Sequence, residues 1–291
     1  MRSKAITFVV ILSFLSLATL TISCRQHRTP KSITFRRITS TNNNQSDKEQ
    51  YKNSGLDDSN KADSPSQIYI PAPLPNNKEQ ILSRKAYVTS YNNKTKIPNW
   101  VAWHLTSDHV DGSIRRLNTY FEDEDVPAPR ATNADYKGSG WSRGHMCPAG
   151  DNKWDETAMM ESNLLTNMCP QHGSLNSGLW NVIERDCRKW AVKYGDLYIV
   201  CGPILLNKEH ETIGENQITV PEAFFKVILR LNPEPAAIGF IVRNNEGKKK
   251  KDQFVNTVDE VERITGMDFF PSLPDEIENE VEANTNLNDW Q

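Results

Sequence analysis

The stretch 138–154 reads GSGWSRGHMCPAGDNKW, and it decides the fold of this 291-residue chain. In it, His145 follows Gly144 and Arg143 directly. Glycine is too frequent here for a stable helix, because each glycine loses conformational freedom when a helix forms. An imidazole and a guanidinium in such a segment have two interpretations: an ordinary surface loop, or a site that handles phosphate.

A second stretch, 167–184, reads NMCPQHGSLNSGLWNVIE and predicts a helix that begins near Leu175. Asn176, Trp180 and Glu184 are then spaced four residues apart and lie on one helical face. Polar Asn and Glu on the stripe that carries a Trp are unusual for a solvated face and are expected in the wall of a site. The first turn of a helix also favours anions and their counterions.

The two ends of the chain differ in composition from its middle. Two basic residues precede an apolar run that ends before Cys24, which predicts a secretory signal over 1–24 with a lipid-modified cysteine. An ordinary signal peptide with an incidental cysteine and an uncleaved anchor are the alternatives. Residues 25–78 are polar and poor in aliphatics, which predicts a disordered linker. Residues 273–291 hold six acidic and no basic residues and predict a disordered, solvated tail. One domain, 79–272, remains.

Charge excludes a surface that binds polyanions over the whole chain. The formal net charge is −3 at pH 7, and residues 62–270 hold 24 basic against 27 acidic side chains. A protein that relies on a broad basic face has an excess of Lys and Arg. Any phosphate-binding surface is therefore local.

Four cysteines follow Cys24, and their even number permits two disulfides with three connectivities. They do not form a zinc-binding pattern, because no CxxC pair occurs. The pairing 147–169 with 187–201 is favoured, and four reduced thiols are the alternative. The four are Cys147, Cys169, Cys187 and Cys201.

Periodicity predicts a mixed α+β domain around an antiparallel sheet. Segments 84–93 and 99–106 alternate in bulk and predict a hairpin with its turn at Asn92-Asn93. Further strands are predicted over 195–205, 219–231 and 235–242, and helices over 155–165, 175–195 and 254–266. Strands and helices do not alternate strictly, so an α+β domain is favoured over a doubly wound parallel one.

Residues 130–145, RATNADYKGSGWSRGH, followed by 167–184, resemble the DNA/RNA non-specific endonucleases, a family of ββα-metal nucleases. The family has an Asp-Arg-Gly-His box and then Asn-x-x-Pro-Gln, followed by Asn, Trp and Glu at this spacing. The similarity continues through YIVCGPIL and VPEAFFKVIL and covers about residues 80–272. The resemblance implies an α+β, ββα-metal (His-Me finger) nuclease fold with a central antiparallel sheet flanked by helices.

The resemblance also implies a role for each matching residue. His145 matches the general base, and Asn176 matches the single protein ligand of Mg²⁺, with Mn²⁺ as an alternative cofactor. Glu184 matches the acidic residue that orients metal-bound water. Arg143 and Asn167 match positions that support the substrate or the geometry of the site.

An arginine upstream of the box contacts phosphate in this family. Arg115, Arg116 and Arg130 are the candidates, and the sequence does not separate them. The implied activity is Mg²⁺-dependent, sugar-non-specific hydrolysis of the phosphodiester bonds of DNA and RNA. Contacts to the phosphate backbone carry little sequence information, which fits a nuclease of low specificity.

The residue types suit this chemistry. A neutral imidazole takes a proton from water near pH 7, since its ordinary pKa is about 6.5. Mg²⁺ keeps several waters and needs few protein ligands, so one carboxamide with substrate oxygens forms a reasonable shell.

One departure from the family pattern favours a second function. Ser142 stands where the box has aspartate, and it keeps a hydrogen-bond acceptor but loses the charge. The alternative is a catalytically inactive envelope protein with this fold that binds nucleic acid or a protein partner. A thiol hydrolase that uses Cys147 with His145 is disfavoured, because residues two apart in an extended segment are poorly placed to bond each other.

The N-terminal signal predicts the location. An exported protein of the bacterial cell envelope is expected, anchored by its lipid and facing the periplasm or the surface. Its only expected contact with the membrane is that lipid.

Overall fold

The computed structural model describes residues 68–74 and 79–291. The predicted signal, Cys24 and nearly all of the predicted linker lie outside the described residues. Residues 68–74 belong to that predicted linker but pack on the domain. Leu74 is buried, and the amide of Ala72 donates to the carbonyl of Asp268 at 2.9 Å. The start of the folded unit therefore precedes the predicted boundary at 79.

Eleven strands are present in the described part of the chain. They are β1 Gln80–Ser83, β2 Val88–Asn92, β3 Ile97–Thr106, β4 Ser142–His145, β5 Met168–Gln171, β6 Asp196–Ile204, β7 Thr212–Ile213, β8 Ile218–Thr219, β9 Ala223–Arg230, β10 Ala236–Arg243 and β11 Val255–Asn256. Seven form one antiparallel sheet in the order β1-β2-β3-β6-β9-β10-β11, and β4-β5 and β7-β8 form two small sheets.

The helices in the same residues are short, apart from one. They are α1 Ser107–Val110, α2 Asn133–Tyr136, α3 Glu156–Ser162, α4 Gly173–Leu175, α5 Asn181–Tyr194, α6 Val258–Thr265 and α7 Asp275–Ala283, with 3₁₀ turns at Ala149–Asp151, Leu165–Asn167, Lys251–Phe254 and Leu287–Trp290. None of these helices is long and apolar enough to cross a membrane.

The main sheet is covered on both faces. In β9 every residue is buried, with Phe224 and Ile228 in the core layer beneath α5 and Phe225 in the layer beneath α6. A strand buried on both sides is expected to be apolar throughout. The exceptions are Lys226, which lies on the α5 side, and Arg230, the last residue of the strand.

The sequence predictions for the hairpin and the central strands are confirmed. The strands β2 and β3 pair in antiparallel fashion, and Asn92 Oδ1 accepts from the amide of Lys94 at 3.0 Å, which closes the turn. Asp155 caps α3 by accepting from the amide of Ala158 at 3.0 Å.

The small sheet β4-β5 and the helix after it form a ββα unit. The register places His145, the last residue of β4, opposite Met168, the first residue of β5. Gly144 is required in this pairing, because a Cβ there would lie 2.5 Å from the side chain of Gln171. The unit and the antiparallel sheet confirm the predicted α+β, ββα-metal fold class.

The helix of this unit is interrupted near its start. Residues Asn176–Trp180 form a π-helical turn between α4 and α5, and Gly178 in it has non-helical angles (φ −99°, ψ −112°). The amide of Leu179 donates to the carbonyl of Gly247 at 3.0 Å, outside the helix. At the other end Gly195, with φ 91°, ends α5 as predicted.

The predicted disordered tail, 273–291, is folded, which corrects that prediction. The helix α7 packs on α6, and Val281 is buried between them. Trp290 is 1% exposed, with its ring 4.9 Å from that of Trp190. A narrow apolar stripe and one terminal Trp supply the packing, while the acidic side chains that governed the prediction mostly face solvent.

The four cysteines of the domain are free thiols, so the favoured pairing 147–169 with 187–201 is wrong. Each is buried in the core and bonded elsewhere or packed. Cys201 Sγ donates to the carbonyl of Met146 at 3.3 Å, and Asn152 donates to Cys147 Sγ at 3.3 Å. Burial raises the pKa of the Cys147 thiol well above its usual range, which disfavours a thiolate nucleophile there.

Candidate active site

His145 is held at the end of β4 by one side-chain hydrogen bond. Its Nε2 lies 2.8 Å from Asn163 Oδ1, and Asn163 Nδ2 donates to the carbonyl of Leu117 at 3.4 Å. Because the amide nitrogen already has an acceptor, the amide oxygen faces the ring, and Nε2 must carry the hydrogen. Nδ1 is then the basic nitrogen, and no described residue is hydrogen-bonded to it.

The environment of His145 keeps its ring neutral. Burial lowers the pKa of His145 to about 4; the bond to Asn163 opposes this change, and the charge of Arg116 adds to it. The side chain is 5% exposed. At neutral pH the ring is therefore an unprotonated base with a fixed tautomer.

Asn163 is a site residue that sequence reasoning missed. It follows α3 directly and is 1% exposed. A helix-terminal Asn is common, so the local sequence offers no signal for its contact with a ring 18 positions away.

The helix of the ββα unit is attached to the histidine through Trp180. Its indole Nε1 donates to the carbonyl of His145 at 3.4 Å, and the side chain is fully buried. Asn176 lies one turn before Trp180 and Glu184 one turn after it. The bond thus fixes the helix against the strand that carries the predicted base, with the predicted metal ligand and acid on either side of the contact.

Glu184 is partly buried, and burial raises its pKa to about 7. The positive charges of Lys226, Arg188 and Arg116 oppose that rise, and Asp151 adds to it. Glu184 therefore lies in a region with several cations, and its acid and carboxylate forms coexist near neutral pH.

Lys226 is a second residue that sequence reasoning missed. It is fully buried beneath the helix, with Nζ 4.6 Å from the ring centroid of Trp180 and 4.8 Å from that of Trp103. Within the described ranges, Nζ has no hydrogen-bond partner. Cation–π contacts and the nearby Glu184 and Asp151 offset the cost of burying this charge.

The three candidate arginines have different surroundings. Arg116 is exposed, and its charge acts on both His145 and Glu184, which brings it to the site. Arg130 instead donates to two carbonyls of its own loop, at 3.3 and 3.1 Å. Arg115 is exposed, and neither site pKa responds to it. The electrostatic effect on His145 and Glu184 favours Arg116.

Arg143 is a brace. Its guanidinium lies 5.1 Å from the ring of Tyr120 and 5.0 Å from that of Tyr136, and it donates to the carbonyl of Asn133 at 2.9 Å. The Tyr120 ring in turn lies 5.8 Å from the His145 ring. Arg143 thus fixes the loop that covers one side of the base.

Asn167 binds backbone only. Its Nδ2 donates to the carbonyls of Cys147 and Ser162, both at 2.8 Å, and its Oδ1 accepts from the amide of Cys147 at 2.9 Å. The side chain is fully buried. It clamps the chain leaving β4 and so fixes the position of His145.

The site offers hard oxygen donors to a cation. Asn176 and Glu184 supply an amide and a carboxylate oxygen, both partly exposed, and the neighbouring cysteines are buried and protonated. Such a set fits Mg²⁺ or Mn²⁺ with retained waters and does not fit a thiolate-bound metal.

The chain is similar to nucleases of animals and fungi. It is 38% identical over 205 residues to the mitochondrial nuclease EXOG of Mus musculus, a match that covers 64% of this chain and 56% of that protein. It is 32% identical over 209 residues to the mitochondrial endonuclease G of Homo sapiens, covering 67% and 70%. The mitochondrial nuclease of Saccharomyces cerevisiae is 33% identical over 229 residues, covering 70% and 68%. The chain thus spans just over half the length of its EXOG relatives.

The predicted location in a bacterial cell envelope is contradicted by these relatives, which are mitochondrial nucleases of mouse, human and yeast. The prediction rested on an apolar run beside basic residues. Several kinds of targeting segment share that composition, so it does not by itself identify the membrane or the organism.

Solved structures and family models agree with the relatives. The chain resembles the EndoG/EndoGI complex, solved to explain EndoG inhibition, with a TM-score of 0.64 and 30% identity, covering 68% of this chain and 88% of that one. The model of the DNA/RNA non-specific endonucleases matches residues 64–276. The protein therefore belongs to the DNA/RNA non-specific endonuclease family, as its two motifs indicated.

Proposed function

We propose that the protein is a metal-dependent endonuclease that hydrolyses phosphodiester bonds of DNA and RNA without sugar specificity. The observation that carries the proposal is the bond between His145 Nε2 and Asn163 Oδ1, which leaves a neutral ring with a basic Nδ1. Family membership supports the reaction class.

In this mechanism, His145 accepts a proton from the attacking water at Nδ1. Asn176 would hold a divalent cation, and Glu184 would orient its water shell. Mg²⁺ supplies charge stabilisation to the phosphate and the leaving oxygen when bound. Arg116 binds a phosphate oxygen, and Arg143 and Asn167 keep the base in position.

The test measures plasmid nicking and RNA degradation by the full-length protein with Mg²⁺ or Mn²⁺. His145→Ala is expected to reduce both by about 10²–10⁴-fold, because it removes the general base. Asn176→Ala is expected to abolish metal-dependent cleavage. His104→Asn and Asn279→Ala are matched controls outside the site, and both are expected to cleave like the wild type. Intact DNA and RNA with wild-type protein across both metals would refute the proposal.

Ser142 favours one second function, a binding protein without catalysis. Ser142 occupies the place of the family aspartate and is uncharged, and the chain is acidic overall. DNA binding that does not need a divalent metal, with no cleavage at any pH, would select this function. Restored cleavage in Ser142→Asp would show that the missing charge is the cause.

We also propose a mitochondrial location, on the basis of the relatives' names and the N-terminal composition. Residues 1–46 hold seven basic and no acidic side chains, a bias found in mitochondrial import segments. A fluorescent fusion of the full chain should co-localise with a mitochondrial marker. A secreted or diffuse signal would reject the location and leave the activity untouched.

A further inference from the structure

Three carboxylates from two helices converge far along the chain from the ββα unit. Asp259 and Glu262 lie on α6, and Glu282 lies in the last turn of α7. One oxygen from each lies within 4.8 Å of the others. Asp259 is exposed and Glu282 is buried, so the group is open on one side only.

One member of this group has an unpartnered oxygen. Glu282 is only 6% exposed, and its Oε1 is fully buried with no hydrogen-bond partner among the described residues. A buried carboxylate oxygen without a donor is costly, because it has lost water and gained nothing in exchange. The orphaned oxygen therefore indicates a ligand that the protein itself does not supply.

The surroundings of Glu282 are acidic throughout. The charged groups that act on it are Glu262, Glu278, Asp259 and Asp268, which are all acidic. The one basic residue of α6, Arg263, is paired with Glu260 at 2.7 Å. None of these described neighbours is basic, so a cation bound here would meet no competing positive charge.

We infer that Asp259, Glu262 and Glu282 form a second divalent-cation site, separate from the nuclease centre, and that its ligand is Ca²⁺. Ca²⁺ accepts about 6–8 oxygen ligands in a flexible geometry, carboxylates included, whereas Mg²⁺ demands a near-ideal octahedron and is usually held by about one or two carboxylates. Three carboxylates whose oxygens lie within 4.8 Å of one another, on two different helices, suit the more adaptable ion.

The position of the site gives the ion a structural role. It bridges α6, which packs on the main sheet, to α7, which leads to the buried Trp290. Glu262 Oε1 already accepts from the amide of Phe269 at 2.7 Å, so its other oxygen is available to the ion. Binding would fasten the C-terminal helix to the domain.

The test is Ca²⁺ binding by full-length Asn176→Ala protein, which lacks the proposed catalytic ligand, measured by calorimetry and by thermal unfolding after chelation. One saturable site and a rise in Tm of about 3–6 °C are expected, because an ion that binds only the folded state stabilises it. Mg²⁺ is expected to bind at least tenfold more weakly.

Variants of the ligands decide the outcome. Glu282→Gln and Asp259→Asn, each in the same background, are expected to weaken Ca²⁺ binding at least tenfold, while the exposed Glu280→Gln is expected to bind normally. Asp259 lies on the rim, so its variant serves even if Glu282→Gln does not fold. Unchanged Tm in Ca²⁺, or normal binding by Asp259→Asn, would overturn the site and show that the carboxyls share protons instead. Equal binding of Mg²⁺ would overturn the assignment of the ion.

Discussion

At the scale of single residues, the basicity of His145 depends on what its other nitrogen does. Asn163→Ala removes the acceptor from Nε2, so both tautomers become available and the ring loses its fixed orientation. Cleavage is expected to fall by about 10–100-fold, in kcat more than in KM. Steady-state kinetics on a short DNA duplex at pH 7.5 measure both parameters.

Asn163→Asp is the informative companion variant. It keeps an acceptor at Nε2 and adds a negative charge, which favours the protonated ring and raises the pKa of His145. Activity is expected to survive near pH 8, with the acid limb of the rate profile displaced to higher pH. A profile identical to the wild type would show that the 163 side chain does not control the base.

Glu184→Gln tests whether the Glu184 carboxyl lowers the free energy of unfolding of the protein. The folded-state pKa, about 7, lies above the ordinary 4.5, so the folded protein binds the extra proton more readily. This contribution is fully present below about pH 4.5 and is lost as pH rises through 7. Glutamine does not ionise, so Glu184→Gln does not lose this stability at high pH. At pH 8, with a chelator to remove metal, its free energy of unfolding should exceed the wild-type value by about 1–3 kcal/mol.

The same variant should be inactive, because an amide cannot replace the carboxylate in orienting a cation's water. Urea unfolding at pH 5 is the control, since the two proteins should then be closer in stability. A variant less stable than the wild type at pH 8 would contradict the interpretation that the buried charge of Glu184 lowers the stability of the protein.

The sequence suggests residue roles only where a motif carries them. His145, Asn176 and Glu184 follow from two short stretches with fixed spacing. The contacts of Lys226 and Asn163 could not be predicted, because each residue contacts a ring that is distant in sequence. Lys226 lies against the Trp rings, and Asn163 bonds the His145 ring. A lysine inside an apolar strand predicts a half-exposed strand, and only the Trp180 and Trp103 rings explain its burial.

At the scale of elements, helical periodicity predicted α5 and its end at Gly195, but not the π turn before it. Local sequence sets the 3.6-residue pattern, whereas the turn depends on the carbonyl of Gly247, some 70 positions away, which takes the amide of Leu179. π turns are frequent at functional sites, and this one begins at Asn176.

Gly178→Ala tests the π turn. A Cβ at this position would lie 2.4 Å from the carbonyl oxygen of Gly247, so the two backbones must move apart. The free energy of unfolding is expected to fall by about 1–3 kcal/mol. The Mg²⁺ affinity measured in the cleavage assay is also expected to fall, because Asn176 moves with the turn. Ser177→Ala, an exposed neighbour, is the control in thermal unfolding and in a metal titration. Equal metal affinity in both variants would separate the turn from metal binding.

At the scale of the whole molecule, the sheet was predictable and its margins were not. Alternating or continuous apolar runs identify strands such as β3, β6 and β9, because the apolar residues of each run are the ones that the sheet buries. The C-terminal segment lacks such a pattern, since six acidic side chains outweigh a few apolar ones. Its order comes from partners elsewhere, mainly α6 and the aromatic residues at the end of α5.

Trp290 is expected to carry much of that order. It is 1% exposed and packs on Trp190 and Tyr194, and the guanidinium of Arg230 lies 5.4 Å from its ring. Trp290→Ala should therefore lower the free energy of unfolding by about 3–5 kcal/mol, while Asn288→Ala, exposed in the same turn, should change it little. Urea unfolding of the two variants measures the difference.

Cleavage by Trp290→Ala separates stability from catalysis. Trp290 packs at the far end of α5 from Glu184, so activity per folded molecule at 20 °C should equal that of the wild type. The temperature of inactivation should fall. Because α7 and the residues after it hold no part of the proposed nuclease centre, their removal should act on lifetime and not on rate. A fall in kcat at 20 °C, in protein shown to be folded, would instead connect the C-terminal segment to the site through α5.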